Sequence, residues 1–423
     1  MLTIRLQDAL ARARQYGTQV QLANLALELA KEDRKQAKAA ALPSVSGLNQ
    51  FIYTEGNATP SGVFVANDGV HVYNEQLNAH EELLNLIRRG EIHAAAAAEA
   101  VARAKAETAA RGLKATVIQD YYAIAVAERK LTNAATSLAE AQHFLDITQK
   151  QERGGEVAHA DVIKAQLQVS QRKRDLDEAQ LAVERAKIAL AVLIFPNLQL
   201  NYEIVDDLSN VPVLPPLPEE TAQANTANSD ILAAQANISQ VRLGTTIARY
   251  AYLPSLALDV WYGIDANQFT ARTDYPTQAT GRSTLPNYEV PFRQNLGYVA
   301  QVTLTVPLWN WGAIHSKVKQ AVLRERQAEL DLTSTRKQLQ GELISAYHEA
   351  QTALDQVQSL RESSQLSAES LRLTLLRYQA GEATALEVVD AQSTARQARD
   401  AYDDGLLRYR AAFANLQSLT GNF

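Results

Sequence analysis

The segment Gly381-Glu382-Ala383-Thr384-Ala385-Leu386-Glu387-Val388-Val389-Asp390-Ala391-Gln392 repeats a pattern met about 226 residues earlier, Gly155-Glu156-Val157-Ala158-His159-Ala160-Asp161-Val162-Ile163-Lys164-Ala165-Gln166. In each copy a glycine ends one helical pattern and opens the next. Two further landmarks recur in the same order: Leu42-Pro43-Ser44 returns as Leu253-Pro254-Ser255, and Gly90-Glu91-Ile92-His93 returns as Gly312-Ala313-Ile314-His315. Three ordered recurrences point to a duplication. Residues 1–210 then form a first repeat and 211–423 a second, with a Pro-rich joint at about 196–218 that contains Val211-Pro212-Val213-Leu214-Pro215-Pro216-Leu217-Pro218.

Around these glycines the chain reads as long helix, because Gly and Pro vanish while Ala, Leu, Glu, Gln, Lys and Arg dominate. The helical blocks run over about 5–41, 91–195, 219–251 and 312–421, the second and fourth broken at Gly154-Gly155 and at Gly381. At ~1.5 Å per residue, the helix from Glu91 to Arg153 spans on the order of 95 Å, so it must pack along its length. Val117, Ile124, Leu131, Leu138 and Leu145 recur every seventh residue, with Ala127, Ala134 and Ala141 between them. Leu339, Leu343, Ala346, Ala350, Ala353, Val357 and Leu360 repeat the 3–4 spacing. Antiparallel coiled-coil hairpins account for both stripes, as does an ordinary bundle core.

Composition narrows the class. With 41 Lys and Arg against 47 Asp and Glu the chain lacks the basic field that nucleic acid demands. Without cysteine it has neither disulfides nor thiolate metal sites. No run approaches the ~18 apolar residues of a membrane helix. Met1-Leu2-Thr3-Ile4-Arg5 has no apolar signal core, which leaves a cytosolic protein or one whose leader has been removed. Taken alone, composition describes a soluble, helical chain.

Two regions in each half break the helical period. Leu296, Tyr298, Ala300, Val302, Leu304 and Val306 alternate with mostly polar residues over 295–306; Leu256, Leu258, Val260, Tyr262 and Ile264 alternate over about 256–264. Weaker strands fall at about 45–54 and 70–84, where Glu75, Glu81 and Glu82 leave the register open. Polar loops at about 55–69 and 265–293 separate the strands of each pair. Four strands flanked by long helices leave two open sheet edges, which oligomerisation would close. A 12-residue strand tilted by ~40° rises on the order of 30 Å, which matches the apolar band of an outer-membrane barrel. The three tryptophans, Trp261, Trp309 and Trp311, sit in or beside these strands, where an aromatic girdle belongs. A soluble β-layer capped by helices is the plainer alternative, and a soluble coiled-coil scaffold with small β inserts is the competing functional reading.

The arrangement resembles the TolC-type outer-membrane efflux proteins. The resemblance rests on the two Leu-Pro-Ser helix ends, on Val306-Pro307-Leu308-Trp309-Asn310-Trp311-Gly312 at a strand exit, and on Arg377-Tyr378-Gln379-Ala380-Gly381 with Leu386-Glu387-Val388-Val389-Asp390-Ala391-Gln392. It implies a mainly α fold with a small β part: helical hairpins forming a periplasmic tunnel, and four strands per protomer in a 12-stranded barrel of a homotrimer. It implies partners as well, namely a periplasmic adaptor, an inner-membrane transporter and outer-membrane lipid. The location implied is the outer membrane of a Gram-negative-type bacterium, with the missing leader read as processed.

By motif position, the channel entrance of that family falls on Glu387 and Asp390, with Asp161 as the first-half counterpart and Tyr378 as a closed-state tyrosine. Carboxylates gathered by threefold symmetry would attract cations. The alternative is that they are solvated acids in a first helical turn, where they favour the macrodipole. Ala383 stands where the family pattern has a basic partner, which leaves Lys164 and Arg377 to substitute. The tip turns, with Gly154, Gly155 and Val157 in one and Gly381 and Thr384 in the other, resemble the adaptor-contact surfaces. No phosphate loop, dinucleotide fingerprint, nucleophile elbow or zinc-protease motif occurs, and the histidines lack ligand spacing. Neither an enzyme activity, nor a cofactor, nor a metal site is expected.

Overall fold

The structure is a computed structural model that describes residues 2–54, 70–266 and 296–421. The elements run β1 (Leu2–Ile4), α1 (Leu6–Tyr16), α2 (Thr18–Ala39), β2 (Ser44–Thr54), β3 (Val70–Leu84), α3 (Leu86–Arg153) and α4 (His159–Ile194). Then come β4 (Tyr202–Ile204), α5 (Leu217–Ala227), α6 (Ser229–Tyr250), β5 (Ser255–Ala266), β6 (Leu296–Thr305), α7 (Ala313–Gln379) and α8 (Ala385–Thr420). Apart from the three-residue strands β1 and β4, two series of elements run in the same order with matched lengths. Helices α1 and α5 have 11 residues each, α2 and α6 22 each, α4 and α8 36 each, and α3 and α7 68 and 67. Leu6 and Leu217, Thr18 and Ser229, and Ser44 and Ser255 open matching elements 211 residues apart; Val70 and Leu296, and His159 and Ala385, do so 226 apart. The offset changes across the segments 55–69 and 267–295. These hold the two expected polar loops, which, like Asn295 of the expected last strand, lie outside the described residues, save for 265 and 266 in β5.

Three details differ from the sequence reading. Gly90 does not match Gly312: it lies inside α3, where a Cβ would come within 2.4 Å of Ile247 Cγ1 of α6, so it marks a close helix contact. Gly312, with φ of 81°, precedes α7. The blocks 5–41 and 219–251 are each two helices. Gly17 makes the first break, because a Cβ there would overlap Ala13 O and Leu113 Cδ2, both at 2.5 Å. At the second, the Asn228 side chain accepts from the amides of Asp230 (2.9 Å) and Ile231 (3.1 Å) and so caps α6.

The chain divides into two compact units. The unit formed by Ala30–Glu99 and Ile238–Gln327 holds an antiparallel sheet of order β2-β3-β5-β6. Its register places Leu77 between Gly47 and Tyr262, and His80 between Ser44 and Asp259. Alternation then sorts the side chains. One face carries Val45, Phe51, Leu77, Tyr262, Tyr298, Val302 and Leu304, each half or more exposed. The other carries Ser46, Asn78, His80, Asp259, Gln301 and Thr303, with His80 Nδ1 2.7 Å from Asp259 Oδ1. Glu75 and Glu81 fall on the apolar face, opposite Ile264 and Leu258, on either side of Leu77 and Ala79. Among the described residues, β2 and β6 each pair on one side only.

The unit formed by Met1–Leu29, Ala100–Asn237 and Ala328–Phe423 is helical and includes the short parallel pair β1–β4. Val117, Tyr121, Ile124, Ala125, Leu190, Leu406 and Tyr409 belong to its largest core cluster. The linker around β4 is strapped to the helices by buried phenols and paired cations. Tyr121 donates to Val205 O (2.7 Å), Tyr202 to Lys187 O (2.6 Å) and Tyr409 to Pro212 O (2.6 Å). Burial pushes the Tyr121 phenol up to about 12. Arg129 reaches Asp206 of the linker at 2.6 Å and Asp403 of α8 at 3.4 Å.

Candidate functional site: the paired helix tips

Both tip turns use one backbone device. In the α3–α4 turn, Gly155 (φ 79°) donates to Glu152 O at 2.9 Å while Glu156 donates to Gln151 O at 2.9 Å. In the α7–α8 turn, Gly381 (φ 77°) donates to Tyr378 O at 3.0 Å while Glu382 donates to Arg377 O at 2.8 Å. These are paired Schellman closures, in which a left-handed residue lets the last helical carbonyls find donors. Gly154 precedes the first closure and is exposed; a Cβ at Gly155 or Gly381 would meet nothing within 4 Å. The glycines there serve backbone conformation, and they leave the tip surfaces open.

Helix α8 starts from a capping box. Thr384 Oγ1 accepts from the Glu387 amide (3.3 Å), and Glu387 Oε1 accepts from the Thr384 amide (3.2 Å). The first turn has no such cap, since Ala158 occupies the equivalent position. There Glu152 and His159 bridge the turn instead, with Oε1 2.6 Å from Nδ1.

Beneath the turns, Phe144, Ala165, Tyr378, Ala385 and Val388 form a buried cluster, with Val157 packed against it. The Tyr378 ring meets Phe144 edge-on at 5.1 Å. Its hydroxyl donates to Thr148 Oγ1 (3.2 Å), Thr148 donates to Phe144 O (2.9 Å), and Gln151 Nε2 donates to Tyr378 O (3.3 Å). Tyr378 thus ties the end of α7 to the end of α3. Burial raises its phenol pKa, an effect the Thr148 bond partly offsets.

The candidate acids lie on the exposed side. Glu387 and Asp390 are exposed on α8 and Asp161 is half-buried on α4. Each basic substitute weighed from the sequence sits beside one of them. Arg377 Nη1 lies 3.6 Å from Glu387 Oε2, and Arg377 Nη2 donates to Glu382 O (3.0 Å). Lys164 Nζ lies 3.1 Å from Asp161 Oδ1. Within this single chain the structure joins Glu387 to Arg377 and Thr384, and Asp161 to Lys164.

The aromatic candidates lie in the sheet-bearing unit. Trp309 and Trp311 are 76 % and 90 % exposed and pack edge-on at 5.7 Å at the exit of β6, where Trp311 adopts φ of 52°. Trp261 lies elsewhere: β5 alternation puts it on the polar face, paired with Asn78 and Val299. Among the described residues no group of three or more His, Asp or Glu could hold a metal ion, and no helix is long and apolar enough to cross a membrane.

Duplicated helical hairpins with capped tips, joined in one chain to a sheet that exposes an apolar face, define the fold class of TolC-type outer-membrane channels. The family model described as outer membrane efflux protein matches residues 6–194 and 221–422, and the chain belongs to that family. A curated relative is the pyoverdine export outer membrane protein OpmQ of Pseudomonas putida, 23% identical over 67% of this chain and 56% of OpmQ's own length. Another is the cobalt-zinc-cadmium resistance protein CzcC of Cupriavidus metallidurans, 22% identical over 74% of this chain and 69% of that protein. The crystal structure of the Campylobacter jejuni CmeC outer membrane channel shares the fold with a TM-score of 0.79, at 18% identity, over 99% of this chain and 85% of that one.

Proposed function

We propose that three copies of this chain form an outer-membrane exit duct of a tripartite efflux or type I secretion system, through which solutes leave passively after delivery by an inner-membrane transporter and its periplasmic adaptor. The observation that carries this reading is the sheet: two edge strands of 11 and 10 residues, each with one free side among the described residues, beside an exposed apolar face. An exposed edge of that length is an aggregation hazard unless another strand covers it, and threefold closure into a 12-stranded barrel covers every edge. The polar face with His80, Asp259 and Gln301 then lines a wet lumen. The matched element series supports two structural repeats, 1–210 and 211–423, joined at about 196–218.

In this duct, the tips are the entrance. Glu387, Asp390 and Asp161 ring it and favour cations, Tyr378 holds it closed, and Arg377 and Lys164 supply the ionic partners. Gly154, Gly155, Val157, Gly381 and Thr384 form the surface that meets the adaptor, and Trp309 and Trp311 sit at the lipid boundary with Trp261 toward the lumen. Purified protein added to a planar bilayer tests this: stepwise conductance from a detergent-extracted trimer is expected. A monodisperse monomer that needs no detergent and gives no conductance would favour the coiled-coil scaffold.

A further inference from the structure

A cavity of about 330 Å³ lies between α5 and α7, lined on the α7 side by Thr333, Arg336, Lys337 and Gln340 and on the α5 side by Thr221 and Asn225. Its floor is apolar, made by the buried Ala224, Leu339 and Leu343. The α7 residues follow the i, i+3, i+4, i+7 spacing of one helix face, so the two cations point into the same space. Two exposed arginines elsewhere in this unit pair with carboxylates: Arg408 with Glu349 at 2.7 Å and Arg372 with Glu369 at 2.7 Å. Arg336 and Lys337 have no ionic or hydrogen-bond partner among the described residues. Two adjacent unpaired cations over an apolar floor form a site with strong anion preference.

The neutral groups narrow the ligand. Thr221 and Thr333 donate their hydroxyl protons to Leu217 O and Glu329 O of their own helices, at 2.8 and 2.9 Å. Toward the cavity these oxygens can only accept, so they suit N–H donors. The Asn225 and Gln340 amides offer both a donor and an acceptor. A phosphate at neutral pH would satisfy the cations but offer the threonine acceptors only its one or two P–O–H protons; a carboxylate flanked by several peptide N–H groups satisfies the cations and supplies a donor to each acceptor. The volume lies at the small end of ligand sites, roughly 300 Å³, enough for about two residues.

We propose that this α5–α7 cleft binds an acidic peptide segment, with its carboxylate on Arg336 and Lys337 and its amides on Thr221, Thr333, Asn225 and Gln340. None of the cleft's residues belongs to the tip site. The test is calorimetric titration of the detergent-solubilised full-length protein with acetyl-Glu-Glu-amide, acetyl-Gln-Gln-amide and inorganic phosphate. Saturable binding of the acidic peptide is expected, weakened about tenfold or more by Arg336→Gln with Lys337→Gln, and weakened by added salt. Arg361→Gln, elsewhere on α7, should leave it unchanged. If the double variant misfolds, Arg336→Lys decides alone, because it keeps the charge and loses the planar fork, and weaker peptide binding is still expected. Three results overturn the proposal: no saturable binding, equal affinity for the Gln peptide, or phosphate binding as tightly as the acidic peptide. A change of oligomeric state in the variants with unaltered peptide binding also overturns it, and assigns the cations to contact between copies.

Discussion

The Tyr378–Thr148 bond is the sharpest lever on the tips. Removing the phenol oxygen with Tyr378→Phe deletes one buried hydrogen bond of 3.2 Å and leaves the ring against Phe144. Thr148 keeps its own donor bond to Phe144 O, so no unmatched donor is created and the cost falls near the usual net value, about 1 kcal/mol. That is roughly a fivefold shift in the opening equilibrium of one protomer, compounded if three tips open together. Thr148→Val is harsher, because it strands the Tyr378 hydroxyl in a buried site at about 1–3 kcal/mol. Combining the two removes both partners, so the double variant should cost less than the sum of the singles, with a coupling of about 1 kcal/mol. Tyr378→Ala, which also empties the ring's site, should cost about 3–5 kcal/mol. Single-channel open probability in planar bilayers, read beside thermal unfolding, measures each step. Strictly additive single variants, or a Tyr378→Phe channel that opens no more often than the parent, would refute the idea that this bond closes the tips.

Further predictions concern charge, backbone and burial. Glu387→Gln retains a capping-box side chain for α8, so Glu387→Gln with Asp390→Asn should lower cation preference and block by multivalent cations while leaving stability nearly unchanged, as reversal potentials and unfolding curves would report. Gly155→Ala and Gly381→Ala put a Cβ into left-handed backbone with open space around it, so each should cost about 1–2 kcal/mol in thermal unfolding, from conformation alone. Gly263→Ala is worse, since its Cβ would lie 2.1 Å from Glu75 O; loss of the β3–β5 pairing should appear as failure to assemble in detergent. Burial raises the Asp403 carboxyl above its ordinary 3.8, against the lowering effects of Asn133 and Arg129. The folded state therefore holds this proton more tightly than the unfolded one, so the stability it contributes is full below pH 3.8 and is lost as pH rises through the raised value. Asp403→Asn should remove that part of the pH dependence of the unfolding midpoint.

The long hairpins were legible because their ends are written in glycine: Gly154-Gly155 and Gly381 stand where the helical pattern stops, and left-handed closure needs them. The strands were legible where parity is clean, as over Leu296 to Thr305. The register of β3 was not, because Glu75 and Glu81 lie on the apolar face and break its alternation; pairing with β2 and β5 sets it, and that is non-local information. The breaks at Gly17 and Asn228 were missed for a related reason. A single glycine or asparagine inside a helical pattern is tolerated, and only contact with Leu113, or a side chain turned back as a cap, shows that the helix stops. In the tip site, Tyr378 and the acids came from motif position, but Phe144 and Thr148 lie about 230 residues away in sequence and carry no motif. The cations Arg336 and Lys337 look like any solvated helix face until α5 is seen across from them.

In the proposed duct, edges β2 and β6 of separate copies meet. Since the chain has no cysteine, cysteines introduced pairwise along Ser44–Phe51 of β2 and Gly297–Thr305 of β6 report only on that meeting. Oxidation of the detergent-solubilised protein should give, for pairs in register, covalent species of two and three chains and none larger. Monomer throughout, or a ladder that continues past three, would contradict threefold closure.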